Sequence, residues 1–105
     1  MMHDLKELKG SQKKYLRGIA HNLNPAAFIG QKGITPTLLE EIDTALEATE
    51  LIKVKFNDYK EKDLKNSLTK EIAKATGSLI AGMVGHVVIL YRQNIDVEKQ
   101  KIKLP

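Results

Sequence analysis

The chain has 105 residues, 42% of them hydrophobic and 29% charged, which is enough to form one domain over residues 1–105 with its own core. The absence of cysteine excludes a disulfide framework, a thiolate zinc site and a cysteine nucleophile. No apolar run is long enough to cross a membrane, and residues 1–6 lack the apolar stretch of a secretory signal. We therefore expect a soluble, cytoplasmic protein without a membrane partner.

Basic and acidic residues are unevenly distributed, although the net charge is only +4. Residues 1–35 carry six basic and two acidic side chains, whereas residues 36–50 carry five acidic and no basic ones. This asymmetry is typical of a protein that binds a polyanion in one orientation. Ordinary surface solubility is the alternative explanation when charge is taken alone.

A first helix is predicted over residues 11–23, because Leu16, Ile19 and Leu23 recur on one face and Ser11 can cap the first turn. The opposite face carries four basic side chains: Lys13, Lys14, Arg17 and His21. Faces that serve only solubility usually mix both signs of charge, so this face favours a binding surface.

A short apolar run, Ala26–Ile29, predicts a buried strand, and the glycine-rich turn Gly30–Gly33 follows it. Thr35 and Pro36 are strong helix-start signals, which predicts a helix over residues 35–49. Glycines let the backbone approach a ligand closely, a helix start offers free N–H groups, and Lys32 adds a cation. The GxxG turn therefore indicates a phosphate-binding loop like the one that clamps nucleic acid in KH-type modules. A plain tight turn is the alternative for the motif alone.

The remaining residues predict a strand, a helix and a hairpin. In strand 51–56, Lys53 and Lys55 face away from the apolar side chains. A helix over residues 62–76 is expected to bury a stripe on one face and to end at Gly77. The stripe consists of Leu64, Leu68, Ile72 and Ala75. Strands 79–84 and 87–91 are joined by Gly85–His86, which matches a type II′ turn. Arg92 closes the last strand, and residues 101–104 alternate and could add an edge strand.

The predicted fold is α/β of an α+β-like kind, with the order αβαβαββ and a four-stranded mixed sheet. Two βαβ units imply parallel pairing with right-handed crossovers, and the hairpin adds an antiparallel strand. Helices 35–49 and 62–76 should cover one face of the sheet. Helix 11–23 could pack on either face or at an edge.

Catalytic and metal chemistry find little support in this sequence. His3, His21 and His86 are scattered, so no metal and no cofactor are expected. Four acidic side chains lie on one predicted exposed flank of helix 35–49, where nothing should raise a pKa. They are Glu40, Asp43, Glu47 and Glu50. We expect no enzymatic activity and no small-molecule substrate, but this flank could dock a basic protein.

Aromatic residues make up only 5% of the chain, and tryptophan is absent. Tyr15 and Tyr91 could stack on bases, although packing at the edge of the core is the favoured use. Contacts are therefore expected mainly with phosphates and 2′-hydroxyls of structured RNA.

An ordered set of short segments covers nearly the whole chain. The segments are 12–21, 23–25, 29–35, 51–55, 76–77, 84–85, 88–92 and 101–105. In this order they resemble a stand-alone bacterial CRM domain, the chloroplast RNA splicing and ribosome maturation module of the YhbY type. One departure is His86, which stands where the family has Lys or another basic or polar residue, and a free His is mostly uncharged at neutral pH.

The resemblance implies a fold similar to the C-terminal domain of translation initiation factor three. It also implies RNA binding and association with precursors of the large ribosomal subunit, so large-subunit ribosomal RNA is the expected partner of a monomeric protein. Gly30–Gly33 match the family's GxxG loop, and the basic side chains of helix 11–23 match its basic first helix. The predicted RNA-binding residues are Gly30, Gln31, Lys32, Gly33, Lys13, Lys14, Arg17, His21, Lys53, Lys55 and Arg92. The alternative is a protein-interaction module that docks a ribosomal protein through the acidic flank of helix 35–49.

Overall fold

The computed structural model describes residues 7–105 and has the predicted αβαβαββ order. The helices are α1 (Gly10–Ala20), α2 (Pro36–Thr49) and α3 (Lys62–Thr76). The strands are β1 (Pro25–Ile29), β2 (Leu51–Phe56), β3 (Leu79–Val84) and β4 (Val87–Tyr91). A short 3-10 helix, Val97–Lys99, follows β4. Within residues 7–105, no helix has the length and apolar character needed to span a membrane.

The four strands form one mixed sheet in the order β1-β2-β4-β3. β1 pairs parallel with β2, as predicted, while β4 pairs antiparallel with both β2 and β3. The expected parallel pairing of β2 with β3 is therefore wrong, because β4 lies between them. β4 is more deeply buried than β3 along its length, as expected for the strand in the central position.

Local signals explain most of the element ends. The Thr35 hydroxyl accepts a hydrogen bond from the Leu38 N–H at 3.0 Å, and Pro36 occupies the first turn of α2. Gly77 ends α3 in the left-handed conformation. Helix α1 begins at Gly10, before the predicted cap Ser11, and ends at Ala20 rather than residue 23.

Each face of the sheet has its own core. α2 and α3 pack on one face, against Ala27, Ile29, Ile52, Val54, Phe56, Val88 and Leu90. α1 packs on the other face together with the C-terminal residues Ile102 and Leu104. That second core contains Leu16, Ala20, Leu51, Ala81, Ile89 and Tyr91. The structure thus assigns α1 to the face opposite α2 and α3.

The buried face of α3 differs from the predicted stripe. Leu64 and Ala75 are exposed, whereas Lys65, Thr69 and Ala73 are buried and Ile72 is buried as expected. Successive helix positions are about 100° apart, so a shift by one residue turns the stripe toward different neighbours. The shift brings the Lys65 ammonium to the β3–β4 turn, where it donates to the Gly85 carbonyl at 2.8 Å.

The C-terminal residues do not form the edge strand that their alternation predicted. They are held instead by Glu50, which is 0% exposed and has φ of 66°. Its carboxylate accepts hydrogen bonds from the N–H groups of Asn94 (2.6 Å), Lys101 (2.7 Å) and Ile102 (3.0 Å). Glu50 is therefore not part of the exposed acidic flank of α2: the helix ends at Thr49, and the left-handed residue after it turns inward.

Candidate nucleic-acid interface

Three loops meet at one end of the sheet, which we call the loop end. β1 and β2 both terminate there, and the antiparallel hairpin turns there between β3 and β4. The Ile29 carbonyl accepts from the N–H groups of Asn57 (2.9 Å) and Asp58 (3.1 Å), and the Phe56 N–H donates to the His86 carbonyl at 2.8 Å. The loop end thus joins the GxxG turn, residues 57–61 and the hairpin turn.

The GxxG turn is closed by its own backbone and supported from the side. The Gly33 N–H donates to the Gly30 carbonyl at 3.0 Å, and Gly33 has φ of 66°. The Tyr59 hydroxyl donates to the Gln31 carbonyl, and a Cβ on Gly33 would lie 3.6 Å from the Tyr59 ring. Sequence reasoning missed Tyr59 because its only signal was its position in a polar loop.

The start of α2 offers few free backbone N–H donors, because Thr35 and Pro36 reduce their number. Pro36 has no N–H, and the Leu38 N–H is already bonded to the Thr35 hydroxyl. In the first turn of α2, this leaves the Thr37 N–H without a partner among residues 7–105. Donors for an anion at this site must therefore come mainly from the GxxG turn and from Lys32.

An open groove of about 410 Å³ runs between the GxxG turn and α2. Phe28, Thr35, Thr37, Leu38 and Glu41 line it together with the turn. The sequence predicted that β1 would be buried throughout, but its side chains alternate: Ala27 and Ile29 are buried, whereas Phe28 is 52% exposed. α1 does not cover Phe28, because its apolar partners lie on β2, β4 and β3 toward the other end of the sheet.

The two predicted lysines of β2 have different surroundings. Lys55 is exposed and is paired across the sheet with Phe28 on one side and Val87 on the other. The Lys53 ammonium donates to the carbonyls of His21 (3.3 Å) and Leu23 (3.0 Å). Lys53 therefore caps the end of α1, while Lys55 points to solvent at the loop end.

The basic face of α1 lies near the opposite edge of the sheet. The Arg17 side chain runs over β3: its guanidinium donates to the Ala81 carbonyl at 3.3 Å, and a Cβ on Gly82 would lie 2.8 Å from Arg17 Cδ. Three strand spacings, on the order of 14 Å, separate the β3 edge from the β1 edge. Lys13 and Lys14 lie one turn earlier, and Lys14 borders a shallow groove with Tyr15. The structure thus does not bring Arg17 into contact with the GxxG turn.

Arg92 lies at the other end of the sheet from the GxxG turn, directly after β4. Its guanidinium donates to the Asp43 carboxylate at 2.6 Å and to the Thr76 carbonyl at 2.8 Å, and it lies 3.8 Å from the Glu47 carboxylate. The structure does not bring this predicted RNA contact to the other site residues. The same pairing partly neutralises the acidic flank of α2.

Additional cations gather at the loop end around His86. Lys65, Lys60 and Lys55 all act on this imidazole, and the Lys65 ammonium lies 3.2 Å from His86 Nδ1. Partial desolvation and these three cations lower the pKa of His86 below its ordinary value of 6.5. His86 is therefore neutral near pH 7, and Lys60 is a cation of the loop end that sequence reasoning did not select.

We expect the free energy of unfolding to fall as the pH drops below 6.5, in part because of His86. Its lowered pKa means that the unfolded chain binds this proton more readily than the folded chain, so the contribution is complete above pH 6.5 and is lost below it. Urea unfolding at pH 7.5 and pH 5 should show a smaller pH dependence for His86→Gln than for the unchanged protein. An NMR titration of His86 with a midpoint at or above 6.5 would contradict this assignment.

The tyrosines considered for base stacking differ in access. Tyr91 is 0% exposed, so it cannot stack on a bound base, and burial together with nearby Glu50 raises its pKa to about 12. Tyr15 is 43% exposed but lies on α1, in the shallow groove that Pro105 also borders. Among residues 7–105, no three His, Asp or Glu side chains are grouped as metal ligands, and His3 lies outside the described residues.

Comparison with known proteins places the chain in a family. Residues 8–92 match the family model of the CRS1 / YhbY (CRM) domain, and the chain belongs to this family. It is 38% identical over 98 residues to a protein of Haemophilus influenzae named "RNA-binding protein", covering 93% of this chain and 95% of that protein. It is 36% identical over 98 residues to the "Probable RNA-binding protein YqeI" of Bacillus subtilis, covering 93% and 99% of the two chains.

A solved structure shares the fold. The solution structure of a hypothetical protein from Staphylococcus aureus superposes with a TM-score of 0.78 at 36% sequence identity, covering 93% of this chain and 99% of that one. That protein therefore shares the overall fold of this chain.

Proposed function

We propose that this chain binds RNA by holding the sugar-phosphate backbone at the GxxG turn. The observation that carries the proposal is the supported turn itself: Gly33 in a left-handed conformation, Tyr59 bonded to the Gln31 carbonyl, and Lys32 at the tip. Membership of the CRM family and the names of its relatives support RNA as the ligand.

The chemistry of the loop end suits a polyanion. Backbone N–H groups of a glycine turn can approach phosphate oxygens closely, and such contacts orient the chain without reading its sequence. Lys32, Lys55 and Lys60 supply attraction around the turn, and α1 adds a second basic area across the sheet. An RNA held by both areas would cross the sheet face between them.

We also propose that the bound RNA is large-subunit ribosomal RNA in assembling particles, and that the protein acts there as a monomer without catalysis. This part of the proposal rests on the family resemblance, which links CRM domains of the YhbY type to precursors of the large subunit. Docking of a ribosomal protein on the acidic flank of α2 is less favoured, because Arg92 already pairs with Asp43 and lies near Glu47.

Salt dependence of RNA binding tests the backbone-binding proposal. Three triple variants remove the same charge: Lys32, Lys55 and Lys60 at the loop end; Lys13, Lys14 and Arg17 on α1; and Lys70, Lys74 and Lys99 as a control, each changed to Gln. Glutamine is chosen because the Arg17 stem packs on β3, so truncation to Ala would also remove packing. We expect both site variants to reduce the log–log salt slope by about two.

The control lysines are exposed and lie on α3 and in the C-terminal segment. Their variant should keep the slope of the unchanged protein in fluorescence-anisotropy titrations with a fragment of large-subunit ribosomal RNA. Equal slopes for all three variants would show that binding follows net charge alone, and the proposed surface would then be wrong. In-cell cross-linking should recover mainly large-subunit RNA, and recovery of unrelated RNA would contradict the ribosomal part.

A further inference from the structure

Phe28 is a large apolar side chain that lies in the open beside the GxxG turn. Phe28 is 52% exposed, although its neighbours in β1, Ala27 and Ile29, are both buried. Only Ile29 separates it from Gly30. β1 is an edge strand, so Phe28 borders the groove beside the start of α2, while strand alternation directs it away from the core that α2 and α3 cover.

A row of residues continues from Phe28 across the whole sheet. Phe28 pairs with Lys55, Lys55 with Val87, and Val87 with Val84. Val84 is 63% exposed, Lys55 is exposed and Val87 is half-buried. α1 and the C-terminal residues cover the part of this face nearer Leu51 and Tyr91 and leave the row open. We call Phe28, Lys55, Val87 and Val84 the open row.

The composition of the open row suits a nucleobase. Neighbouring strands lie about 4.8 Å apart, and Phe28 and Lys55 are paired on one face, so the Phe28 ring and the Lys55 stem are neighbours. An aromatic ring can stack on any base, while an adjacent ammonium attracts the phosphate of the same nucleotide. Lys32 borders the groove beside Phe28, and Lys60 lies near His86 in the hairpin turn next to Val84 and Val87. These cations favour an anionic ligand over a purely apolar protein segment.

We propose that an unpaired nucleobase stacks on Phe28 while the adjoining backbone lies on the GxxG turn. The inference rests on the proposed function and deepens it, because it defines the RNA as one with a bulged or single-stranded nucleotide at this position. A base within a continuous duplex has both of its faces covered by neighbours, so it cannot lie on a protein ring. This adds a base contact to the contacts with phosphates and 2′-hydroxyls that the sequence predicts to predominate.

Two RNA hairpins, identical except for one bulged nucleotide, test this inference when combined with variants of Phe28. Phe28→Leu keeps an apolar side chain and removes the ring, and Phe28→Trp keeps an aromatic surface. Leu64→Ala is the control, since Leu64 is also an exposed apolar residue, at 43%, but lies on α3. The protein has no tryptophan, so Phe28→Trp introduces a single indole whose fluorescence reports directly on stacking.

We expect Phe28→Leu to weaken binding of the bulged hairpin by about five- to 150-fold, the range measured for loss of one base-stacking contact. Binding of the fully paired hairpin should change little, as should both affinities of Leu64→Ala. The indole of Phe28→Trp should be quenched by the bulged hairpin and not by the paired one.

The outcomes separate this inference from the proposed function. If the unchanged protein binds neither hairpin, the RNA-binding proposal itself fails. If it binds RNA with steep salt dependence but Phe28→Leu has no selective effect, only the stacking inference is overturned. If Phe28→Leu leaves RNA binding intact and instead abolishes binding of a purified ribosomal protein, the open row is a protein contact and the inference is likewise wrong.

Discussion

Gly33→Ala is expected to lower RNA affinity by roughly five- to 30-fold, because it disturbs the one backbone conformation on which the GxxG turn depends. Gly33 has φ of 66°, where a side chain costs roughly 1–2 kcal/mol. The added methyl group itself has room, since its nearest neighbour would be the Tyr59 ring at 3.6 Å. The chain can escape the strain by moving the turn, and recovering the binding conformation then costs about 1.4 kcal/mol for each tenfold of affinity.

Gly77→Ala provides a matched control for this prediction. Gly77 has nearly the same φ, 65°, and open space around it. It caps the end of α3, whereas the loop end adjoins the start of α3. Both variants should lose a similar amount of stability in urea unfolding, and only Gly33→Ala should lose RNA affinity. Equal losses of affinity would mean that the turn conformation is not what binds RNA.

Tyr59→Phe separates the two supports of the same turn. It keeps the ring beside Gly33 and removes the hydroxyl that donates to the Gln31 carbonyl. If the hydrogen bond orients the amides of the turn, Tyr59→Phe weakens binding in the same direction as Gly33→Ala but less strongly. A variant with unchanged affinity would show that packing of the ring alone holds the turn.

Features with local causes were predicted well. The start of α2 depends on Thr35 and Pro36, and the end of α3 depends on Gly77, all of which act through their own backbone. The opposite orientation of Lys53 and Lys55 to Ile52, Val54 and Phe56 follows from strand alternation alone. The GxxG motif was recognised for the same reason, because its pattern is contained in four consecutive residues.

Features that depend on distant neighbours could not be predicted in this way. β3 lies at an edge because β4 inserts beside β2, which no property of β3 itself requires. The sequence pattern predicts Phe28 as a core residue, but Phe28 is exposed because α1 packs farther along that face of the sheet. The sequence predicts Arg92 as a surface cation free to bind RNA. Its pairing with Asp43 could not be predicted, because Asp43 lies on α2, 49 positions earlier in the chain. Tyr59 supports the GxxG turn only because β1 and β2 end side by side.

Burial of Glu50 is the feature with the largest expected effect on stability. Its carboxylate is 0% exposed and accepts three backbone hydrogen bonds, from Asn94, Lys101 and Ile102. A hydrogen bond to a charged group contributes about 1.5–3 kcal/mol, and a buried donor left without an acceptor costs a similar amount. Glu50→Gln replaces one carboxylate oxygen by an NH2 group, which faces a backbone N–H and cannot accept from it.

We therefore expect Glu50→Gln to lower the free energy of unfolding by about 2–4 kcal/mol, a large part of the 5–15 kcal/mol typical of a domain. Glu40→Gln, at an exposed position of α2, should change it by less than about 0.5 kcal/mol. Urea unfolding measures both. A change below about 1 kcal/mol for Glu50→Gln would mean that water or a rearranged C-terminal segment satisfies the three N–H groups.

The position of Glu50 also predicts where this loss of stability acts. The C-terminal residues Ile102 and Leu104 pack in the same core as α1, and the Gln12 amide donates to the Pro105 carbonyl at 3.4 Å. Loss of the Glu50 hydrogen bonds should release the C-terminal segment, expose it to proteases and loosen α1 with its basic face. The GxxG turn lies at the other end of the sheet and keeps its support from Tyr59. Glu50→Gln should therefore reduce the salt slope of RNA binding as the α1 variant does, yet preserve selectivity for a bulged hairpin. Loss of that selectivity would show that the two ends of the sheet are coupled.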